Sequence, residues 1–275
     1  MQLGAFKIRG GILYIDELMR AQPQVSGVIA ATRGNHGQSI AFAARRVGIR
    51  AVIVVPRGNS TEKNAAMRAL GATLIEHGQD FQAAYEHAAT LVESEGLHFV
   101  RSFSDTLLRG VASYALELFD AVRDLDALYV PIGQGSGICA AIAARDALGL
   151  KTKIIGVVAE GAPAYALSAA AGRAVSSDTA DTIADGMACR VPDPDALQII
   201  LAGVSRIVVV GDPQIRAAMR HYFTDTHNVA EGAGAAPLAA LISERAQMQG
   251  RRVAIVQSGG NVDRSVFTQV LGESA

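Results

Sequence analysis

The sequence predicts an α/β fold of two three-layer domains with mainly parallel sheets. Three observations predict it. Short β-branched runs alternate with helix-length segments, 50% of the 275 residues are hydrophobic, and glycine-rich turns punctuate the chain beside the strands. That apolar content and length support a substantial buried core.

Taken in order, GVIAAT at 27–32, AVIVVP at 51–56, TLIEHG at 73–78 and LHFVRS at 97–102 read as strands. TEKNAAMRALG from Thr61 reads as a helix, with Thr61 as N-cap, Gly71 as C-terminal stop and Ala65, Ala66, Ala69 and Leu70 as its apolar face. Segments 80–95 and 105–122 follow the same helical pattern. Further strands are ALYVPIG at 127–133, KIIGVVAE from Lys153, RIVVVG from Arg206 and RRVAIVQSGG from Arg251. Between them lie the helix ICAAIAARDALGL and the Ala-rich helix end around Ala170. The predicted division is a smaller domain over residues 26–116 and a larger one made of 1–25 with 117–275.

Twenty-five basic and twenty-six acidic residues leave a formal charge of -1, so no electrostatic argument favours nucleic acid or an anionic membrane. Cys139 and Cys189 form neither a CxxC pair nor a disulfide framework, which suits a reducing cytoplasm. Neither a signal-peptide core nor an apolar stretch near 18 residues is present, so a soluble protein with a small-molecule partner is expected.

Four glycine-rich segments are read as lying just beyond strands: RGNHG at 33–37, GQGSG at 133–137, EGAGA at 231–235 and SGGN at 258–261. Ligands of open α/β sheets sit at the carboxyl ends of strands, so these turns suggest a site. GQGSG precedes a helix and suits phosphate bound on backbone amides. It also reads as a tight structural turn, or as a dinucleotide fingerprint with Glu160 as ribose-binding acid, although Ile138 replaces the third small residue. Lys7, among the apolar and glycine neighbours of GAFKIRGG, reads either as a solvated lysine at a helix start or as a desolvated amine fit for Schiff-base chemistry.

Together these motifs resemble the fold-type-II pyridoxal-phosphate enzymes, specifically the threonine/serine dehydratase group, from residue 3 to about residue 265. The family's Schiff-base lysine segment matches Ala5-Phe6-Lys7-Ile8-Arg9-Gly10. Its GNHG loop matches Gly34-Asn35-His36-Gly37, which implies that Asn35 contacts the phenolic oxygen of pyridoxal phosphate. The loop Thr32, Arg33, Gly34, Asn35 and His36 then receives the substrate carboxylate. The phosphate cup matches Gly133, Gln134, Gly135, Ser136 and Gly137, and the serine facing the pyridine nitrogen matches Ser258. TIADG at 182–186 and EGAGA also resemble family segments.

The resemblance implies α,β-elimination on L-threonine or L-serine to a 2-oxo acid and ammonia, with Lys7 as the catalytic base, in a homodimer. A neutral Ser258 beside the pyridine favours elimination over transamination. A related lyase acting on 3-hydroxyaspartate and a non-catalytic relative remain the alternatives. Three departures accompany the resemblance. Arg33 stands where serine racemase-like members carry a proton-donating serine, which disfavours racemisation. Glu160 matches one metal ligand of some relatives, but Ala166 replaces the second, and His221, Asp225 and His227 do not share one helical face, so no metal is expected. Finally, family members carry a few tens of residues before the lysine segment and some carry a regulatory domain after SGGN; neither is read in this chain.

Overall fold

A computed structural model describes residues 2–273, and the described chain falls into two compact units that meet between Val111 and Ala112 in the sequence. The first unit opens with helix α1 (Ile8–Ala21), followed by β1 (Gly27–Ala31), α2 (Asn35–Val47), β2 (Arg50–Val55), α3 (Thr61–Ala69), β3 (Thr73–Glu76), α4 (Phe81–Glu95) and β4 (His98–Phe99). The unit boundary falls within α5 (Asp105–Ala121). The strands form one parallel sheet in the order β3-β2-β1-β4.

Continuous burial of β1 and β2, with successive side chains pointing to opposite faces, makes this sheet the middle of three layers. Val28, Ala30, Ala51, Ile53 and Val55 face α1 and α2, where Ile15, Leu18, Ile40 and Ala44 complete the core. Ile29, Ala31, Val52 and Val54 face the opposite way, onto Ala84 and Ala88 of α4. Each fully buried aliphatic side chain contributes about 1.5–3 kcal/mol, so the two faces together dominate the unit's stability.

The second unit runs β5 (Ala127–Pro131), α6 (Ser136–Ala147), β6 (Lys153–Ala159), α7 (Ala164–Ala171), α8 (Pro194–Gly203), β7 (Arg206–Val210), α9 (Asp212–Thr226), α10 (Gly232–Ser243), β8 (Val253–Ile255) and α11 (Arg264–Gly272). Its parallel sheet has the order β7-β6-β5-β8. Tyr129, Ile155, Val157 and Val210 pack on Ile215, Met219, Ala236 and Ala240 of α9 and α10. The Tyr129 hydroxyl donates to Glu244, which also accepts from Arg206 Nε at 2.9 Å. Among the described residues, no helix is long and apolar enough to cross a membrane.

Three local expectations are corrected. The N-cap of α3 is Ser60, whose hydroxyl accepts from Lys63 N at 3.1 Å, and not Thr61. The buried face of α3 is Lys63, Asn64 and Met67, while Ala65 and Ala69 are exposed. The helix turns its polar residues inward because Asn59 Nδ2 donates to Asn64 at 2.7 Å and the Lys63 stem packs on Gly34. EGAGA follows α9 and opens α10, so it does not lie beyond a strand. Helix α1 packs along α2 within the first unit.

That helix pair meets through glycine. A Cβ on Gly11 would lie 2.1 Å from Ser39 Oγ and 3.0 Å from the Ser39 carbonyl oxygen, so α1 and α2 touch backbone to backbone. In an exposed helix, Gly→Ala gains about 1 kcal/mol of propensity. Here overpacking outweighs that gain, and Gly11→Ala is expected to destabilise the protein by about 1–3 kcal/mol, read as a lowered urea midpoint. An unchanged midpoint would show that the helices separate without cost.

Candidate active site

Strand order identifies where each sheet offers a crevice. In the first unit the order reverses at β1, whose neighbours β2 and β4 carry the chain in opposite directions. In the second it reverses at β5, between β6 and β8. The loop at 32–36 leaves the carboxyl end of β1, and GQGSG leaves that of β5. The sequence alone does not give strand order, so it proposes these turns without ranking them.

In the first unit, Thr32 is buried and its Oγ accepts from Gly34 N at 2.8 Å and Gly37 N at 3.3 Å, which fastens the loop to the first turn of α2. Asn35 is the first residue of α2, so the positive end of the helix dipole lies at the loop. Met67 and Thr32 lie where a Cβ on Gly37 would sit, at 2.5 Å each.

Lys7 stands at the N-cap of α1. Its carbonyl accepts from Ser39 Oγ at 2.7 Å, and its ammonium lies 5.5 Å from the Phe6 ring centroid. Part of its residue surface reaches solvent, but the amine is closely surrounded by protein, and this desolvation lowers its pKa to about 8. His36 is buried and is lowered to about 3, chiefly by burial and then by the charge of Lys7, with a hydrogen bond to the Val100 backbone opposing. It is therefore neutral near pH 7. Its Nε2 is buried without a partner, and so is Nε of Arg33. Lys7, Thr32, Arg33, Asn35 and His36 thus belong to one compact unit, with Ser39 as the link between the lysine and the loop helix.

In the second unit, Gly135 caps α6 at φ +96°, a left-handed conformation that favours glycine. A Cβ there would lie 2.6 Å from Ala196 Cβ, and one on Gly133 would lie 2.2 Å from the Gly186 carbonyl oxygen. These two glycines admit α8 and the TIADG segment close to the turn. Gln134 Nε2 is tied to Cys189 Sγ at 3.0 Å, so backbone rather than that side chain is left to a ligand. Burial pushes both cysteine thiols up to about 12, which keeps them protonated and inert.

Ser258 follows β8, which pairs with β5, so it shares the carboxyl edge of the sheet with GQGSG. It is buried. EGAGA packs behind it: Glu231 N donates to the Gly259 carbonyl at 3.1 Å, and a Cβ on Gly234 would lie 2.5 Å from that same oxygen.

Several supporting residues escape sequence reasoning. Ser39 shows no motif beyond its place in α2. The Tyr114 hydroxyl donates to the Gly137 carbonyl at 2.9 Å, and Asp212 accepts from Ile183 N at 2.9 Å to hold TIADG. Only the EGAGA spacing signals its packing role. Glu160, the proposed ribose ligand, is exposed. Among the described residues, no group of three or more His, Cys, Asp or Glu side chains could hold a metal ion.

Residues 1–259 match the family described as pyridoxal-phosphate dependent enzyme. The chain is 35% identical to the L-threonine ammonia-lyase of Thermotoga maritima over 271 residues, covering 98% of this chain and 67% of that one. It is 32% identical to the catabolic L-threonine dehydratase of Escherichia coli K12 over 274 residues, covering 98% and 82%. Among solved structures, processed threonine deaminase isoform 2 of Solanum lycopersicum aligns with a TM-score of 0.89 at 30% identity, covering 99% and 81%. A pyridoxal 5'-phosphate-dependent aspartate racemase aligns at 0.91 and 28%, covering 98% and 84%. The chain belongs to the pyridoxal-phosphate dependent enzyme family.

Proposed function

We propose that the protein is a dehydratase and ammonia-lyase of β-hydroxy-α-amino acids, converting L-threonine and L-serine to a 2-oxo acid and ammonia. One observation carries this reading: a lysine with a pKa near 8 is tied through Ser39 to the helix whose N-terminus forms the strand-end loop. The names of the similar threonine ammonia-lyases and dehydratases agree with it.

The donor set fits pyridoxal phosphate. The Lys7 amine suits the aldehyde, the hydroxyl of the buried residue Ser258 suits the ring nitrogen, and the N-terminus of α6 suits the phosphate. In this reading, backbone groups of Gly133, Gln134, Gly135, Ser136 and Gly137 hold the phosphate, and Asn35 meets the phenolic oxygen. When bound, the cofactor supplies an electron-accepting ring for the charge left at the substrate α-carbon.

The chain's own residues do the rest. The loop of Thr32, Arg33, Gly34, Asn35 and His36 receives the substrate α-carboxylate on its backbone amides, at the positive end of α2. His36 contributes as a neutral donor or acceptor and carries no charge of its own. Lys7 Nζ takes the α-proton, and its lowered pKa leaves a usable fraction of free amine near neutrality. The proposed setting is the cytoplasm, with two buried thiols suited to a reducing compartment, and the proposed assembly is the homodimer that the family resemblance implies. Size-exclusion chromatography with light scattering tests the dimer.

Lys7→Ala is expected to abolish the lysine-dependent visible absorbance of the cofactor-loaded protein. It should also cut 2-oxo acid formation from threonine and serine by on the order of a thousandfold. Retention of both signals would remove Lys7 from the chemistry. The pH dependence has a defined sign, because the amine is charged below its pKa and free above it. Cofactor uptake, followed by visible absorbance, should quicken about tenfold per pH unit up to about 8 and then level off. A rate flat through that range would contradict the assigned environment of Lys7.

A further inference from the structure

The strand-end loop carries one more strong donor than an α-carboxylate requires. Thr32 Oγ already serves Gly34 and Gly37, and the first turn of α2 supplies amide dipoles to the same place. Arg33 stands between them. Its Nε is buried without a hydrogen-bond partner, and no carboxylate forms an ion pair with it among the described residues. Two other arginines of this unit carry carboxylate partners, Arg50 with Glu95 at 2.9 Å and Arg109 with Glu17 at 2.6 Å, whereas Arg33 is the arginine whose Nε is buried and unbonded among the described residues.

An always-charged guanidinium with a buried unpaired N–H is costly to keep unless a ligand satisfies it. Its planar fork matches a carboxylate bidentately. Beside the methyl group of threonine it would remain stranded, whereas a second carboxylate on the substrate would pair with it.

We infer that Arg33 is a specificity-determining residue that binds a second, side-chain carboxylate, so that the preferred substrate is an acidic β-hydroxy-α-amino acid such as 3-hydroxyaspartate. The inference rests on the lyase reading for its chemistry and on Arg33 for its selectivity.

Two measurements separate these. Isothermal titration of the cofactor-loaded full chain compares L-malate with L-lactate, which differ by the second carboxylate. Malate should bind tighter by on the order of tenfold to a hundredfold. In Arg33→Gln the two should fall within about twofold of each other, with Arg33→Lys between. Equal affinity in the unaltered protein, failure of both ligands to bind, or selectivity that survives Arg33→Gln overturns the inference. Should Arg33→Gln fail to fold, Arg33→Ser reads the same ratio, and the unaltered protein alone remains decisive if it shows no preference.

The second measurement is kcat/KM for 3-hydroxyaspartate, threonine and serine. A preference for 3-hydroxyaspartate that Arg33→Gln loses through KM supports the inference. A threonine preference unmoved by Arg33→Gln overturns it while leaving the lyase reading intact. Arg33-dependent malate selectivity without turnover of any of the three supports the anion site and defeats the lyase reading.

Discussion

The contact on which the site depends is the close approach of α1 and α2. Gly11 lets the helices meet at Ser39, and Ser39 Oγ in turn donates to the Lys7 carbonyl. One hydrogen bond therefore joins the segment that carries the amine to the helix whose first turn forms the strand-end loop. A side chain at residue 11 would open this gap, and the position of Lys7 relative to His36 would loosen with it. The electrostatics follow from the same packing, since the burial that lowers Lys7 also keeps His36 neutral.

Each sheet then supplies a crevice by the same topological device. In both, the strand at the reversal point ends in a glycine-containing loop that leads directly into a helix N-terminus. The supporting shells differ. The first loop is held by Thr32 and by the inward polar face of α3, with Lys63 against Gly34 and Met67 against Gly37. The second is held by close backbone packing, with TIADG against Gly133, α8 against Gly135 and Tyr114 on Gly137. Glycine serves the second loop by admitting neighbouring protein as well as by exposing amides.

Charge is distributed with comparable economy. The first loop gathers Lys7, Arg33 and His36, and of these the histidine is uncharged near neutrality and the lysine is partly so above pH 7. Arg33 is left as the one permanent charge in the loop. The second unit keeps its strong ion pair, Arg206 with Glu244, beside Tyr129, where it serves packing between β5, β7 and α10 and takes no part in the site.

Much of this was legible in the sequence. Strand alternation, the helix segments at 80–95 and 105–122, and the turns at 33–37, 133–137 and 258–261 follow from local periodicity and glycine placement, which are properties of neighbouring residues. Resemblance supplied the chemical roles proposed for Lys7, Asn35 and Ser258. Local pattern failed where a tertiary partner set the outcome. The inward face of α3 is polar because Asn59 and the Gly34 loop receive it, and EGAGA opens a helix because Gly259 packs against it. By itself the sequence determined which residues could do the chemistry. Strand order, the Ser39 link to Lys7 and the unpaired Nε of Arg33 were decided only by tertiary structure, because each depends on chain segments that are distant in sequence and meet on folding.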